Sequence, residues 1–109
     1  MNKLEVGMYV RTETGEIGKI TNFDGDMARI DTDKFITYKS FNNEITKASH
    51  NIIDLIEVGD YVNGFPVIHK ENDVLKCGLL VQFKENEIKS IVTKEQFKSM
   101  EYKVGGKNG

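Results

Sequence analysis

The two histidines and the single cysteine are the side chains best suited to metal binding or to nucleophilic chemistry. They are His50, His69 and Cys77. Zinc sites use paired Cys or His residues at short spacings, and these three residues match no such pattern. A Cys–His nucleophilic pair also needs an orienting group and an oxyanion site, and no residue in the sequence points to either. We therefore expect no metal ion, no cofactor and no catalytic centre, with Cys77 acting as a small buried hydrophobic residue.

Two other patterns resemble ligand sites and have simpler explanations. The densest acidic cluster lacks the second half of a calcium-binding loop, so we interpret it as turn chemistry and strand solvation. The glycine pair Gly15 and Gly18 is not followed by Lys-Ser or Lys-Thr, so a phosphate-binding loop is not supported and we expect a strand bend. The acidic residues are Asp24, Asp26, Asp31 and Asp33.

Aromatic and basic residues in the first half form the candidate binding set. These residues are Tyr9, Arg11, Tyr38, Lys39 and Phe41. Aromatic side chains and arginine are enriched in protein-binding hot spots, so we expect the five to converge on one face. The alternative, which we favour, is that Tyr9 and Tyr38 only cover the edge of the core and keep their hydroxyl groups in water.

An internal repeat indicates how these side chains are positioned. Leu-Glu-Val-Gly-Met-Tyr-Val at 4–10 recurs as Ile-Glu-Val-Gly-Asp-Tyr-Val at 56–62, with five of seven positions identical. Each copy predicts a short β-strand entered through a glycine turn. We expect four valines to be core residues: Val6, Val10, Val58 and Val62.

Turn signals and alternating residues predict the remaining elements. In the first half, strands are expected at 14–23, 27–31, 35–38 and 44–48, with a hairpin at Asp24-Gly25 and a helical turn to Leu55 capped by Ser49. In the second half, strands are expected at 65–69, 74–77, 79–83 and 87–92. Thr93-Lys94-Glu95-Gln96 has the form of a capping box and opens a short helix.

The first copy of the repeat, together with the residues that follow it, resembles a known family. Residues 4–10 followed by Gly-Glu-Ile-Gly-Lys-Ile at 15–20 look like the start of an SH3-like barrel of the KOW or Tudor kind. The resemblance implies a mainly β protein of two tandem SH3-like modules, each ending in a short helix. The expected limits are 1–55 for the first module and 56–104 for the second, with a flexible tail at 105–109.

A second resemblance concerns origin. Residues 49–64 and 88–104 look like segments of small uncharacterised proteins from phages and prophages of Gram-positive bacteria. The resemblance implies a mobile-element origin, and small proteins of such elements often inhibit host defence systems, as anti-CRISPR proteins do.

Composition narrows the class of partner. The chain has 109 residues, a net charge of -2 and interleaved lysines and acids, which argues against a dedicated nucleic-acid binder. One cysteine and the lack of a long apolar segment favour a cytoplasmic protein without a membrane span.

Three functional hypotheses remain open at this point. The favoured one is a non-enzymatic module that binds, and inhibits or modulates, a host protein such as a defence nuclease. The alternatives are a nucleic-acid-binding KOW-like accessory protein, with Arg11, Lys19 and Arg29 as phosphate contacts, and a small hydrolase or nucleotide-sequestering protein. A homodimer formed through exposed strand edges is also plausible.

Overall fold

The computed structural model describes residues 3–40, 42–101 and 104, and these residues form a mainly β protein. The candidate binding residue Phe41 and the predicted flexible tail at 105–109 lie outside them. The first half has strands β1 (Tyr9–Thr12), β2 (Ile17–Asp24), β3 (Met27–Asp31), β4 (Ile36–Ser40) and β5 (Ile45–Ser49), followed by a 3-10 turn at Ile52–Leu55. The second half has β6 (Tyr61–Val62), β7 (Phe65–Pro66), β8 (His69–Lys70), β9 (Val74–Lys76), β10 (Gln82–Lys84), a 3-10 turn at Glu85–Glu87, β11 (Ile91–Val92) and helix α1 (Lys94–Ser99).

The first half is one antiparallel sheet in the order β4-β3-β2-β1-β5. Its central hairpin turns at Gly25, where φ is +64°, so the Asp24-Gly25 hairpin prediction is confirmed. Strand β5 returns to pair with β1, which makes β4 and β5 the two edges. A register shift between Ile20 and Asn22 interrupts the pairing of β2 with β3.

The second half follows the same order in two smaller sheets. One sheet is β10-β9-β8 and the other is β11-β6-β7. Strands β7 and β8 together occupy the position that β2 has in the first half. Val67 and Ile68 separate them and belong to neither strand, but the amide of Val67 donates to the Asp60 carbonyl and that of Ile68 to the Lys76 carbonyl. The described residues therefore form three small antiparallel sheets and no closed barrel.

The two repeated openings have matching backbone hydrogen bonds. The amide of Met8 donates to the carbonyl of Glu5 at 3.2 Å, and the amide of Asp60 donates to that of Glu57 at 3.0 Å. Gly7 and Gly59 both have positive φ, at +97° and +102°, as the third residue of such a turn requires. The two segments are therefore structurally equivalent.

The turn geometry corrects part of the core prediction. Val10 and Val62 are fully buried, as expected, but Val6 and Val58 are 57% and 53% exposed. Each exposed valine is the second residue of the four-residue turn, where the side chain points outward. The prediction that Val6 and Val58 are core residues is therefore wrong.

Each half has its own group of buried apolar side chains. In the first half they are Val10, Ile20, Ala28, Ile30 and Ile45. In the second half they are Ile53, Ile56, Val62, Val67, Leu75 and Cys77. Cys77 is buried as predicted, and this burial raises the pKa of its thiol. Ile53 belongs to the 3-10 turn after β5 and packs with the second group, so this turn connects the halves.

Three local predictions are wrong in detail. The strand expected at 87–92 is limited to Ile91–Val92, and a 3-10 turn at Glu85–Glu87 overlaps its predicted start. The strand expected at 79–83 begins only at Gln82, because Leu79 and Leu80 lie in the loop between β9 and β10. The N-cap of the 3-10 turn Ile52–Leu55 is Asn51 rather than Ser49. The Ser49 hydroxyl accepts a hydrogen bond from the amide of Asn51 and donates one to Asp54, so it supports the turn from two residues before the N-cap.

Candidate functional site at the junction of the two halves

Arg11, at the end of β1, is the centre of a buried charged network between the two halves. Its guanidinium is 1% exposed. It donates to both carboxylate oxygens of Asp60, at 2.5 and 2.9 Å, and to the Leu55 carbonyl at 2.9 Å. A further hydrogen bond reaches Glu95 of α1 at 2.6 Å. Burial alone lowers the pKa of Arg11, but the hydrogen bonds to Asp60 and Glu95 outweigh it and raise the pKa above its ordinary value.

Asp60, in the second half, is the main partner of Arg11. It is fully buried, and its carboxylate also accepts from the amide of Glu57 at 2.7 Å and from the amide of Lys94 at 2.9 Å. Four donors therefore satisfy one buried carboxylate, as a buried charge requires. In the first copy of the repeat this position is Met8. The network thus lies where the two copies differ.

Glu57 extends the network toward solvent. It pairs with Lys94 at 2.8 Å, with Lys47 at 3.2 Å and with Arg11 at 3.8 Å. The hydrogen bond from Lys94 is the largest influence, and with Lys47 and Arg11 it lowers the pKa of Glu57 to about 2 against the opposing effect of burial. The same contact raises the pKa of Lys94.

The N-terminus of α1 is joined to the β1–β2 loop by Thr93 and Gly15. The Thr93 hydroxyl donates to the Gly15 carbonyl at 2.8 Å and accepts from the Gln96 amide, while the Gln96 side chain accepts from the Thr93 amide. The predicted capping box is therefore confirmed. A Cβ at Gly15 would collide with the Thr93 hydroxyl, and φ there is +88°. Only glycine allows this close contact.

A cleft of about 300 Å³ lies between the first sheet and the second half. On one side it is lined by the first sheet, through Tyr9, Lys19 and Asp31, and on the other by the second half, through Ile88 and Lys89. Acids and lysines both contribute, so the lining has no dominant charge. The ammonium of Lys19 lies 4.9 Å from the Tyr9 ring centroid, in a cation–π contact at the wall of the cleft.

The structure does not bring the four described members of the predicted binding set onto one surface. Arg11 is buried in the network, and Tyr9 lines the cleft. Tyr38 is 49% exposed on edge strand β4, three strands away from β1 or about 14 Å at ordinary strand spacing. Lys39 lies next to Tyr38 and so faces the other side of the sheet, 4.0 Å from Glu16. Binding by Tyr9 and Tyr38 stays a prediction.

Sequence reasoning missed Asp60, Glu57 and Glu95. The available signal was the repeat itself, because an aspartate replaces Met8 at an equivalent position beside a core strand. A charge there needs a buried partner, and the chain has two arginines to supply one. The pairing of Arg11 with Asp60 joins residues 49 positions apart, so no local pattern in the sequence indicates it.

Comparison with known proteins adds no assignment. The chain matches no protein-family model, and no significant match was found among curated proteins or solved structures.

The described residues contain neither a metal-binding cluster nor a membrane-spanning helix. Within 3–40, 42–101 and 104, no three His, Cys, Asp or Glu side chains are grouped so as to hold a metal ion. No helix in that part of the chain is both long enough and apolar enough to cross a bilayer.

Proposed function

We propose that the protein is a non-enzymatic binding module that recognises another protein through the loop between β9 and β10. Leu79 and Leu80 at the tip of this loop are 103% and 96% exposed, so neither packs against the rest of the protein. The base of the loop is closed by the amide of Cys77, which donates to the carbonyl of Val81 at 2.8 Å. Two adjacent leucines held in water are the single observation that carries the proposal.

Burial of these leucines by a partner is a substantial source of affinity. Fully burying one leucine side chain contributes about 1.5–3 kcal/mol, so the pair contributes roughly 3 kcal/mol or more, or over 100-fold in affinity. The phage-like segments support a host protein as the partner, with a defence nuclease as the class that the resemblance suggests. Inhibition is the outcome that we propose for such binding.

The strand order supports the SH3-like part of the account. An antiparallel order in which the fifth strand returns to the first occurs in both halves, as β4-β3-β2-β1-β5 and as β10-β9-β8/β7-β6-β11. We propose that the chain is a duplicated SH3-like unit, with modules at 1–55 and 56–104. The junction at Arg11 fixes the two units in one arrangement.

The test compares a loop variant with a matched surface variant. The full chain and its Leu79→Lys/Leu80→Lys form are immobilised and exposed to lysate of a Gram-positive bacterium, with Val6→Lys/Val58→Lys as the control that changes two other exposed apolar residues. We expect a stoichiometric protein that is retained by the parent chain and the control and lost by the loop variant. Recovery of no such protein, or equal recovery by all three, contradicts the proposal.

The cleft supports a second candidate function, in which the protein sequesters a nucleotide. Its volume of about 300 Å³ is at the lower end of the range for small-molecule sites. A bound nucleotide would raise the melting temperature by mass action. An unchanged melting temperature across a panel of linear and cyclic nucleotides would eliminate this candidate.

The three residues proposed as phosphate contacts in the KOW-like alternative already have interactions within the protein. Arg11 is buried, Lys19 contacts Tyr9, and the guanidinium of Arg29 donates to Asp31 at 3.1 Å. No observation favours nucleic acid over protein as the partner.

A further inference from the structure

Edge strand β4 has backbone groups that are free to pair with another strand. The amide and carbonyl of Ser40 both bond Glu44, so they point away from β3. The carbonyl of Phe35 accepts from the Thr32 amide, so it points toward β3. Because outward and inward residues alternate in an antiparallel pair, the backbone groups of Ile36 and Tyr38 also point outward. Across the described residues, β4 pairs with β3 alone.

The side chains of these two residues are apolar and exposed. Ile36 is 53% and Tyr38 is 49% exposed, and both lie on the sheet face opposite the core of the first half. The equivalent edge strand of the second half, β10, has the exposed polar residues Gln82 and Lys84 in the corresponding places. Charged side chains protect an edge from pairing, whereas apolar ones favour it. The exposed side chains therefore favour strand pairing at the β4 edge and oppose it at the β10 edge.

We propose that two copies of the chain associate through β4, antiparallel and around a two-fold axis at Thr37. In this register Ile36 lies opposite the partner's Tyr38, and Tyr38 lies opposite the partner's Ile36. All four outward backbone groups of each copy are then paired, which gives four hydrogen bonds across the axis.

Other registers leave more of the outward backbone groups of β4 without a hydrogen bond. A shift that places Tyr38 opposite the partner's Tyr38 also places Ile36 opposite the partner's Ser40, whose amide already donates to Glu44. The register centred on Thr37 also forms an aromatic–β-branched pair twice, and such cross-strand pairs stabilise sheets. No charged residue meets a like charge at these three positions, so two-fold symmetry carries no electrostatic cost there.

The assembly continues the first sheet of one copy into that of the other. Each sheet has five strands, and the dimer has a single antiparallel sheet of ten. The Leu79–Leu80 loop belongs to the other half and stays free in both copies. Dimerisation is therefore independent of the proposed partner contact, and each can fail without the other.

Sedimentation equilibrium of the full chain is the main test. The average molecular mass of the parent chain is expected to rise with concentration from the 12.4 kDa of one copy toward twice that value. Ile36→Lys/Tyr38→Lys is expected to stay at the monomer mass, because it puts two lysines into the interface of each copy. The matched control, Gln82→Lys on β10, is expected to associate like the parent chain. A monomer at every concentration, or equal association of the parent and the β4 variant, overturns the proposal.

A second variant covers the case in which the lysine variant fails to fold. Tyr38→Pro removes an amide that points away from β3, and proline is tolerated at such edge positions. The variant is therefore expected to keep its fold, as measured by circular dichroism, and to lose association.

A cross-linking test examines the register. Thr37→Cys is expected to form an interchain disulfide with oxidised glutathione, because residues that face each other at a non-hydrogen-bonded position have Cα atoms about 4.5 Å apart. Asp24→Cys, at the exposed hairpin, is the control. Equal cross-linking of both cysteine variants contradicts the register.

Discussion

Glu57 shows how one residue of the junction makes stability depend on pH. Its folded pKa of about 2 lies below the ordinary value of 4.5, so between these values the folded protein binds fewer protons than the unfolded chain. The stability that Glu57 contributes is therefore complete above about pH 4.5 and is lost as the pH falls through about 2.

Replacement of Glu57 tests this contribution. We expect Glu57→Gln to lower the free energy of unfolding by about 1 kcal/mol at neutral pH and to reduce its acid dependence between the two pKa values, because the pairs with Lys94 and Lys47 are lost. Denaturant titrations at several pH values measure both effects. Lys94→Met removes the strongest partner and is expected to change the pH dependence in the same direction. An acid dependence identical to that of the parent chain in both variants would contradict the assignment.

At the scale of elements, helix α1 is held by its first turn more than by its length. It has six residues, too few for a helix to be stable alone, and Thr93 both caps it and bonds the Gly15 carbonyl. We expect Thr93→Val, which keeps the shape and removes the hydroxyl, to destabilise the protein by about 1–3 kcal/mol because a cap and a buried carbonyl lose their partner. Thr93→Ser keeps the hydroxyl and is expected to cost less. A larger loss for the serine variant in thermal or denaturant unfolding would show that methyl packing matters more.

The elements that the sequence predicted well are those with local causes. The Asp24-Gly25 hairpin and the capping box at Thr93 depend on residues within four positions of one another, and both form as expected. The strand predicted over 79–83 was based on consecutive apolar residues, and such a pattern does not indicate whether another part of the protein buries them. Nothing covers Leu79 and Leu80, so they lie in a loop.

At the scale of the whole molecule, the repeat predicted that the two halves are equivalent but did not show how they meet. Arg11 was interpreted as part of an exposed binding face because its partners are 44 to 84 residues away along the chain. Contacts at such separations leave no periodic signal in one sequence. The departure from the repeat at Asp60 was visible, yet it identified neither Glu95 nor Lys94 as neighbours.

The pairing of Arg11 with Asp60 joins the two halves, and the two contact surfaces proposed above, the β9–β10 loop and the β4 edge, lie outside this junction. Arg11→Met leaves the Asp60 carboxylate buried without its guanidinium, and removal of one member of a buried pair costs about 3–5 kcal/mol. Asp60→Met gives the second copy of the repeat the residue of the first and leaves the Arg11 guanidinium buried with only its remaining hydrogen-bond partners, Glu95 and the Leu55 carbonyl. In the double variant neither Arg11 nor Asp60 is left buried without the other.

A double-mutant cycle on these two residues is the most direct test, with the exposed pair Arg29 and Asp31 as the control cycle. We predict that the summed losses of Arg11→Met and Asp60→Met exceed the loss of the double variant by about 3 kcal/mol, the upper end of the range for residues in contact, whereas the control cycle gives about 1 kcal/mol or less. Additive losses at Arg11 and Asp60 would contradict the claim that this pair joins the halves.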